Sequence, residues 1–340
     1  MNKRRTPGQI FFLLLWALLQ GIAASAQPAP EDRALPTGKV PVHDPVLIRE
    51  GDTWYLLATG QGIAVWSSKD RKEWKKEKPV FGAPPEWAVK AVPGFRGHIW
   101  APDIRRHNGL FYLYYSVSAF GRNTSCIGVA VNRTLDPGSP EFKWEDKGLV
   151  VQSVPGRDLW NAIDPQVTSD EAGRQWMVFG SFWSGLKLVR LSADGLSLAE
   201  PAEWHTIARR PRPYDVPDSA AGPGAVEAPF LFQHNGYYYL FASADYCCQG
   251  ERSNYKIIIG RSRSITGPYL DREGRRLDAG GGTVLLQGDA AWHGLGHNAV
   301  VRNGQQDLLV FHAYDAADKG RPKLRIENLD WTPDGWPLVR

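Results

Sequence analysis

The sequence predicts an all-β fold, a five-bladed β-propeller, and two observations carry that prediction. One unit recurs five times along the chain. Its strands are short, aromatic and bounded by Gly or Asn-Gly, as in Leu110–Tyr115, Trp176–Phe179 and Tyr237–Phe241, with no long helical period beyond the N-terminal segment.

Each unit opens on a short motif: His43-Asp44-Pro45, Trp100-Ala-Pro-Asp103, Ile163-Asp164-Pro165, Glu227-Ala-Pro229 and Gly296-His297-Asn298. A turn and an aromatic strand follow, at Gly51–Leu57, Asn108–Tyr114, Gly173–Phe179, Asn235–Phe241 and Asn303–Phe311. The openings recur every roughly 60 to 70 residues, room for four short strands and their turns, which is one blade. Five blades fill residues 27–340 as a single domain.

Residues 1–26 read as a cleaved signal peptide: Lys3, Arg4 and Arg5, an apolar run from Ile10 to Leu19, then Ala24-Ser25-Ala26. The apolar run is too short for a stable membrane anchor. Export to the periplasm or the medium follows. The formal charge of +4 falls to about +1 once those three cations are removed. No Lys/Arg run beyond them makes an electrostatic footprint for nucleic acid. Three cysteines lack zinc-ligand spacing, and the adjacent Cys247-Cys248 is either a vicinal disulfide or two free thiols. Asn123-Thr-Ser125 and Asn132-Arg-Thr134 match the glycosylation sequon.

Inner strands of a propeller line its central channel, so the five openings converge at one mouth. A lone acidic residue beside proline is ordinarily a turn or cap, but Asp44, Asp164 and Glu227 stand in register in three separate repeats. Glycosidic cleavage needs a carboxylic acid to protonate the leaving oxygen and a carboxylate on the opposite face of the sugar. Mutual repulsion in a sheltered pocket keeps one such group protonated. Asp103 lies one place after its proline and is left out of the catalytic set. Trp100, Phe120, Trp160, Phe182 and Trp183 are candidate platforms for sugar rings. His297 is a hydrogen-bonded core histidine, a second base, or a contributor, with waters and nearby oxygens, to an axial cation.

The series His43-Asp-Pro45, Trp100-Ala-Pro-Asp103, Asn161-Ala-Ile-Asp-Pro165, Gly180-Ser-Phe-Trp183, Val226-Glu-Ala-Pro229, Gly260-Arg-Ser262 with Gly267-Pro-Tyr269, and Asp334-Gly-Trp-Pro337 resembles glycoside hydrolase family 43. The match is nearest its endo-α-1,5-L-arabinanases and spans residues 27–340. The resemblance implies an inverting, endo-acting arabinan hydrolase that needs no cofactor for chemistry. Asp44 would be the general base, Glu227 the general acid, and Asp164 the group that orients Glu227 and raises its pKa. It further implies substrate contacts at Asp44, Trp100, Phe120, Gly121, Asn161, Ala162, Ile163, Asp164, Ser181, Phe182 and Trp183, and a structural calcium ion held largely through water at His297; the chain is expected to be a monomer. Cys247-Cys248-Gln-Gly250 resembles the arabinanase fourth blade. The alternatives are an exo-acting α-L-arabinofuranosidase or β-xylosidase of the same family, and a non-catalytic carbohydrate-binding propeller.

Overall fold

In a computed structural model, which describes residues 34–340, the repeat folds into five antiparallel sheets. Blades two to five take their inner strands from His98–His107, Gln166–Ser169, Val226–His234 and Trp292–Asn303. Blade one starts at Val46–Glu50. Each inner strand pairs with its repeat's aromatic strand, then a third and a fourth follow outward. The inferred signal peptide lies outside the described residues. Among those residues no helix is long and apolar enough to cross a membrane.

The aromatic strands are apolar at nearly every position because successive side chains point to opposite faces and both faces are covered. In blade two, Phe111, Leu113 and Tyr115 pack with Val46, Tyr55 and Leu57 of blade one. Tyr112 and Tyr114 turn the other way, onto Met177 and Phe179 of blade three. Trp176 and Val178 then meet Leu240 and Ala242 of blade four, and Tyr239 and Phe241 meet Leu309 and Phe311 of blade five. Leu308 and Val310 close the circle on Trp54 and Leu56 of blade one.

The chain seals this closure with its first described residues. Leu35–Pro36 adds a strand to the outer edge of blade one, opposite Trp74 and Glu73. A few residues later Val40 accepts the amide of Leu324, and Pro41 bridges to Lys323, both in blade five.

Candidate active site

One backbone feature repeats at every blade entry. Asp44, Ala101, Asp164, Ala228 and His297 all take the left-handed conformation, with φ of 53, 43, 59, 53 and 50°. Non-glycine residues rarely do so, and five in register point to a functional constraint. In blades two, four and five a break in pairing register falls at this point, as in a β-bulge that re-aims a side chain. The re-aimed positions are Asp44, Asp164 and His297, while Glu227 stands one residue before its blade's kink.

The kinked amides form a ring that locks the blades together. Ala101 N donates to Thr59 Oγ1 at 2.8 Å, Asp164 N to Ser116 Oγ at 3.0 Å and His297 N to Ser243 Oγ at 2.8 Å. Asp44 N donates to His312 Nδ1 at 3.1 Å. In each pair the acceptor belongs to the preceding blade. Blade three has Gly180 at the equivalent position, so no side chain is available there, and Asp164 Oδ2 accepts Ala228 N instead at 3.2 Å. Asp164 thereby fixes the backbone of the residue next to Glu227.

Around Asp44, Thr59 donates its hydroxyl to Oδ2 at 2.5 Å. His43 Nδ1 and His297 Nδ1 approach Oδ1 at 2.7 and 3.0 Å. Burial acts to raise the Asp44 pKa, but the two imidazoles outweigh it and hold the carboxyl well below the usual range. Burial also opposes protonation of His297, yet Asp44 wins and its pKa rises to about 9. Asp164 moves the other way: burial raises its pKa well above the ordinary value, and Glu227 and Asp44 add to the rise against His297. Glu227 is likewise raised by burial, against the hydroxyl of Ser181 at 2.6 Å from Oε2. The three carboxyls thus lie within one another's electrostatic reach, with one pKa lowered and two raised.

The other residues expected at the site lie in varied surroundings. Trp183 is buried and its indole N–H donates to Asp218 O at 2.9 Å, so it braces the loop after blade three. Ala162 is fully buried, and Asn161 Oδ1 accepts a hydrogen bond from Ser125 Oγ at 2.6 Å. Trp160 packs on Phe179 and Trp204. Phe120 is 82% exposed, Trp100 and Phe182 are half-buried, and Ser181 bonds Glu227 directly. Asn123 and Asn132 of the two sequons are buried, and Asn123 Nδ2 donates to Asp158 O, so neither is open to a glycan in the folded chain. Cys247 and Cys248 form a disulfide, and Cys126 is free and buried.

The groups of three close donor side chains found among the described residues are His43 with Cys247 and Cys248, and His43 with Asp44 and His312. His297 is in neither, and its Nδ1 is committed to Asp44. Beside it both amide atoms of Asn298 are buried without a protein partner, as is His312 Nε2, which suits ordered water. This environment fits a hard cation only if water supplies most of its shell.

Sequence reasoning missed Thr59, Ser116, Ser243 and His312, although each stands seven or eight residues after its repeat's turn glycine. Aligning the second strands as closely as the openings would have found them. His43, Tyr255 and Tyr314 carried no such signal. Gly296 is explained by Tyr255, whose ring would lie 2.2 Å from a Cβ placed there.

Comparison with known proteins agrees with this geometry. The sequence pattern of glycosyl hydrolases family 43 matches residues 34–337. The chain is 56% identical over 301 residues to an extracellular exo-α-(1→5)-L-arabinofuranosidase of Cellvibrio japonicus, covering 88% of this chain and 87% of that protein. It is 42% identical over 341 residues to an extracellular endo-α-(1→5)-L-arabinanase of Bacillus subtilis, covering 99% of each. The solved structure of a Cellvibrio cellulosa α-L-arabinanase complexed with arabinohexaose superposes with a TM-score of 0.87 at 54% identity, over 88% of this chain and 96% of that one. With five blades, converging carboxyls and these likenesses together, the chain belongs to glycoside hydrolase family 43.

Proposed function

We propose that this hydrolase is exported, acts as a monomer and cleaves α-1,5-L-arabinofuranosidic bonds of arabinan with inversion. The observation that carries the reading is the opposed pKa shift of Asp44, lowered by His43 and His297, and of Glu227, raised by burial, in one cluster. Glu227 protonates the departing glycosidic oxygen. Asp44, kept ionised by His43 and His297, removes a proton from the water that attacks the anomeric carbon. Asp164 holds the Glu227 segment through the Ala228 amide. Inversion requires base and acid roughly 6.5 to 9.5 Å apart. The extracellular designation of both curated relatives, with the N-terminal pattern, supports export.

Exo action is the reading favoured by the relative at 56% identity. The endo action expected from the sequence keeps the support of the relative at 42%. A digest of linear arabinan separates them: arabinose alone from the first minutes marks exo attack, and a ladder of short oligomers marks endo attack. Glu227→Gln is expected to lower kcat by about 10²–10⁴-fold while oligosaccharide binding persists. Retention of near wild-type turnover would remove Glu227 as the acid. A wild-type protein that binds arabinan and xylan but cleaves neither would be a lectin.

A calcium ion, if bound, would draw one nitrogen from His297 and the rest of its shell from water, supplying structural charge near the axis and no step of the reaction. Chelation is then expected to lower the melting temperature.

A further inference from the structure

The Cys247–Cys248 disulfide lies between the two groups that perform the chemistry. Cys247 Sγ is 3.8 Å from Glu227 Oε1. On the other side Cys248 Sγ is 3.8 Å from His43 Nε2, and His43 Nδ1 binds Asp44 Oδ1 at 2.7 Å. A continuous path therefore runs from the acid, across two bonded sulfurs and one imidazole, to the base. The pair is itself anchored: Cys248 N donates to the Tyr314 hydroxyl at 2.8 Å, and that hydroxyl meets His43 Nε2 at 2.8 Å. Cys248 is exposed, so a soluble reagent can reach the bond, whereas the third cysteine, Cys126, is buried.

We propose that the Cys247–Cys248 disulfide is a positioning element of the hydrolytic site, a rigid wall that sets the relation of Glu227 to His43 and Asp44, and that its reduction lowers turnover. The inference rests on the acid and base roles proposed above. A bonded pair of sulfurs carries no proton and little charge, so it presents Glu227 Oε1 with an apolar surface. Two thiols in the same place are no longer tethered to each other. They also offer S–H donors to the carboxylate, which favour its ionised form.

The full chain is treated with a dithiol such as dithiothreitol. The disulfide takes up two electrons and two protons to become two thiols, while the dithiol becomes a cyclic disulfide. Mass spectrometry verifies the reduction, and turnover of linear arabinan is followed across pH. A displacement of catalytic groups by about 1 Å costs up to about 100-fold, so kcat is expected to fall about 10- to 100-fold with a smaller change in KM. The alkaline limb of the profile, set by Glu227 among Asp164, Asp44, His297 and Tyr255, is expected to move to lower pH, and reoxidation to restore both. The Cys247→Ala/Cys248→Ala double variant is expected to lose turnover irreversibly. Arabinohexaose is expected to slow alkylation of the reduced thiols by iodoacetamide.

Unchanged kcat and pH profile in the verified reduced protein overturn the proposal. So does a fall in melting temperature alone, which would mark a structural staple. An arabinan-cleaving enzyme indifferent to reduction rejects this inference only, whereas an active Glu227→Gln variant rejects the underlying acid assignment.

Discussion

Asp164 is a residue whose role depends on what a neighbour lacks. With Gly180 where other blades carry Thr, Ser or His, its carboxyl supplies the missing acceptor for Ala228 N. Asp164→Ala leaves that buried amide unpaired, at a cost of about 1–3 kcal/mol, and frees the Glu227 backbone. Asp164→Asn keeps an acceptor. The alanine variant is therefore expected to lose more kcat and more stability to urea than the asparagine variant, and equal losses would argue against backbone positioning. Asp103 is a second case. It is buried, accepts Val167 N at 2.9 Å, and burial lifts its pKa to about 7. A raised folded-state pKa means stability is full below the ordinary carboxyl range and is lost as pH rises toward 7 and beyond. Asp103→Asn retains the acceptor without the ionisation, so its stability relative to wild type is expected to rise between pH 5 and pH 8 in thermal melts. A flat difference would refute the assignment.

At the scale of the strand, each blade repeats one device: a left-handed residue just before or within the inner strand, its amide held by the previous blade. In blades one and three the left-handed residue is itself an acidic one, Asp44 and Asp164. The device also couples neighbouring blades through a single hydrogen bond at the point where function is built. Ser116→Ala and Ser243→Ala each remove one acceptor, leaving Asp164 N or His297 N unpaired. Each is expected to cost about 1–3 kcal/mol in chemical denaturation. Because Ser116 holds the Asp164 backbone, its loss is also expected to reduce kcat; an effect on stability alone would show that the ring serves only assembly.

Across the whole molecule, five apolar interfaces are closed end to end by residues 35–41, which join the outer edge of blade one to blade five. Trp74 is fully buried against this segment, and its indole N–H donates to Thr37 Oγ1 at 3.1 Å. Deleting residues 35–41 is expected to expose the Leu308–Val310 side of blade five and to lower the melting temperature by several degrees or more. An unchanged melt would mean that the interblade core alone closes the ring.

Much of this was legible in the chain. The recurring turn and aromatic strand, with apolar side chains on both faces, could fold only as strands covered on both sides, and five copies fixed the blade number. The register of Asp44 and Asp164 was visible because short-range pattern places the openings, whereas Glu227 proved to stand one residue before the equivalent position, which Ala228 fills. What sequence could not supply depends on residues far apart meeting in space. Only the tertiary structure decided that Trp183 braces a loop, that Asp164 replaces an acceptor absent at Gly180, and that a disulfide in blade four touches both Glu227 and His43. Local pattern determines which strands form and where they kink, while side-chain partners across a closed ring are set by the closure itself.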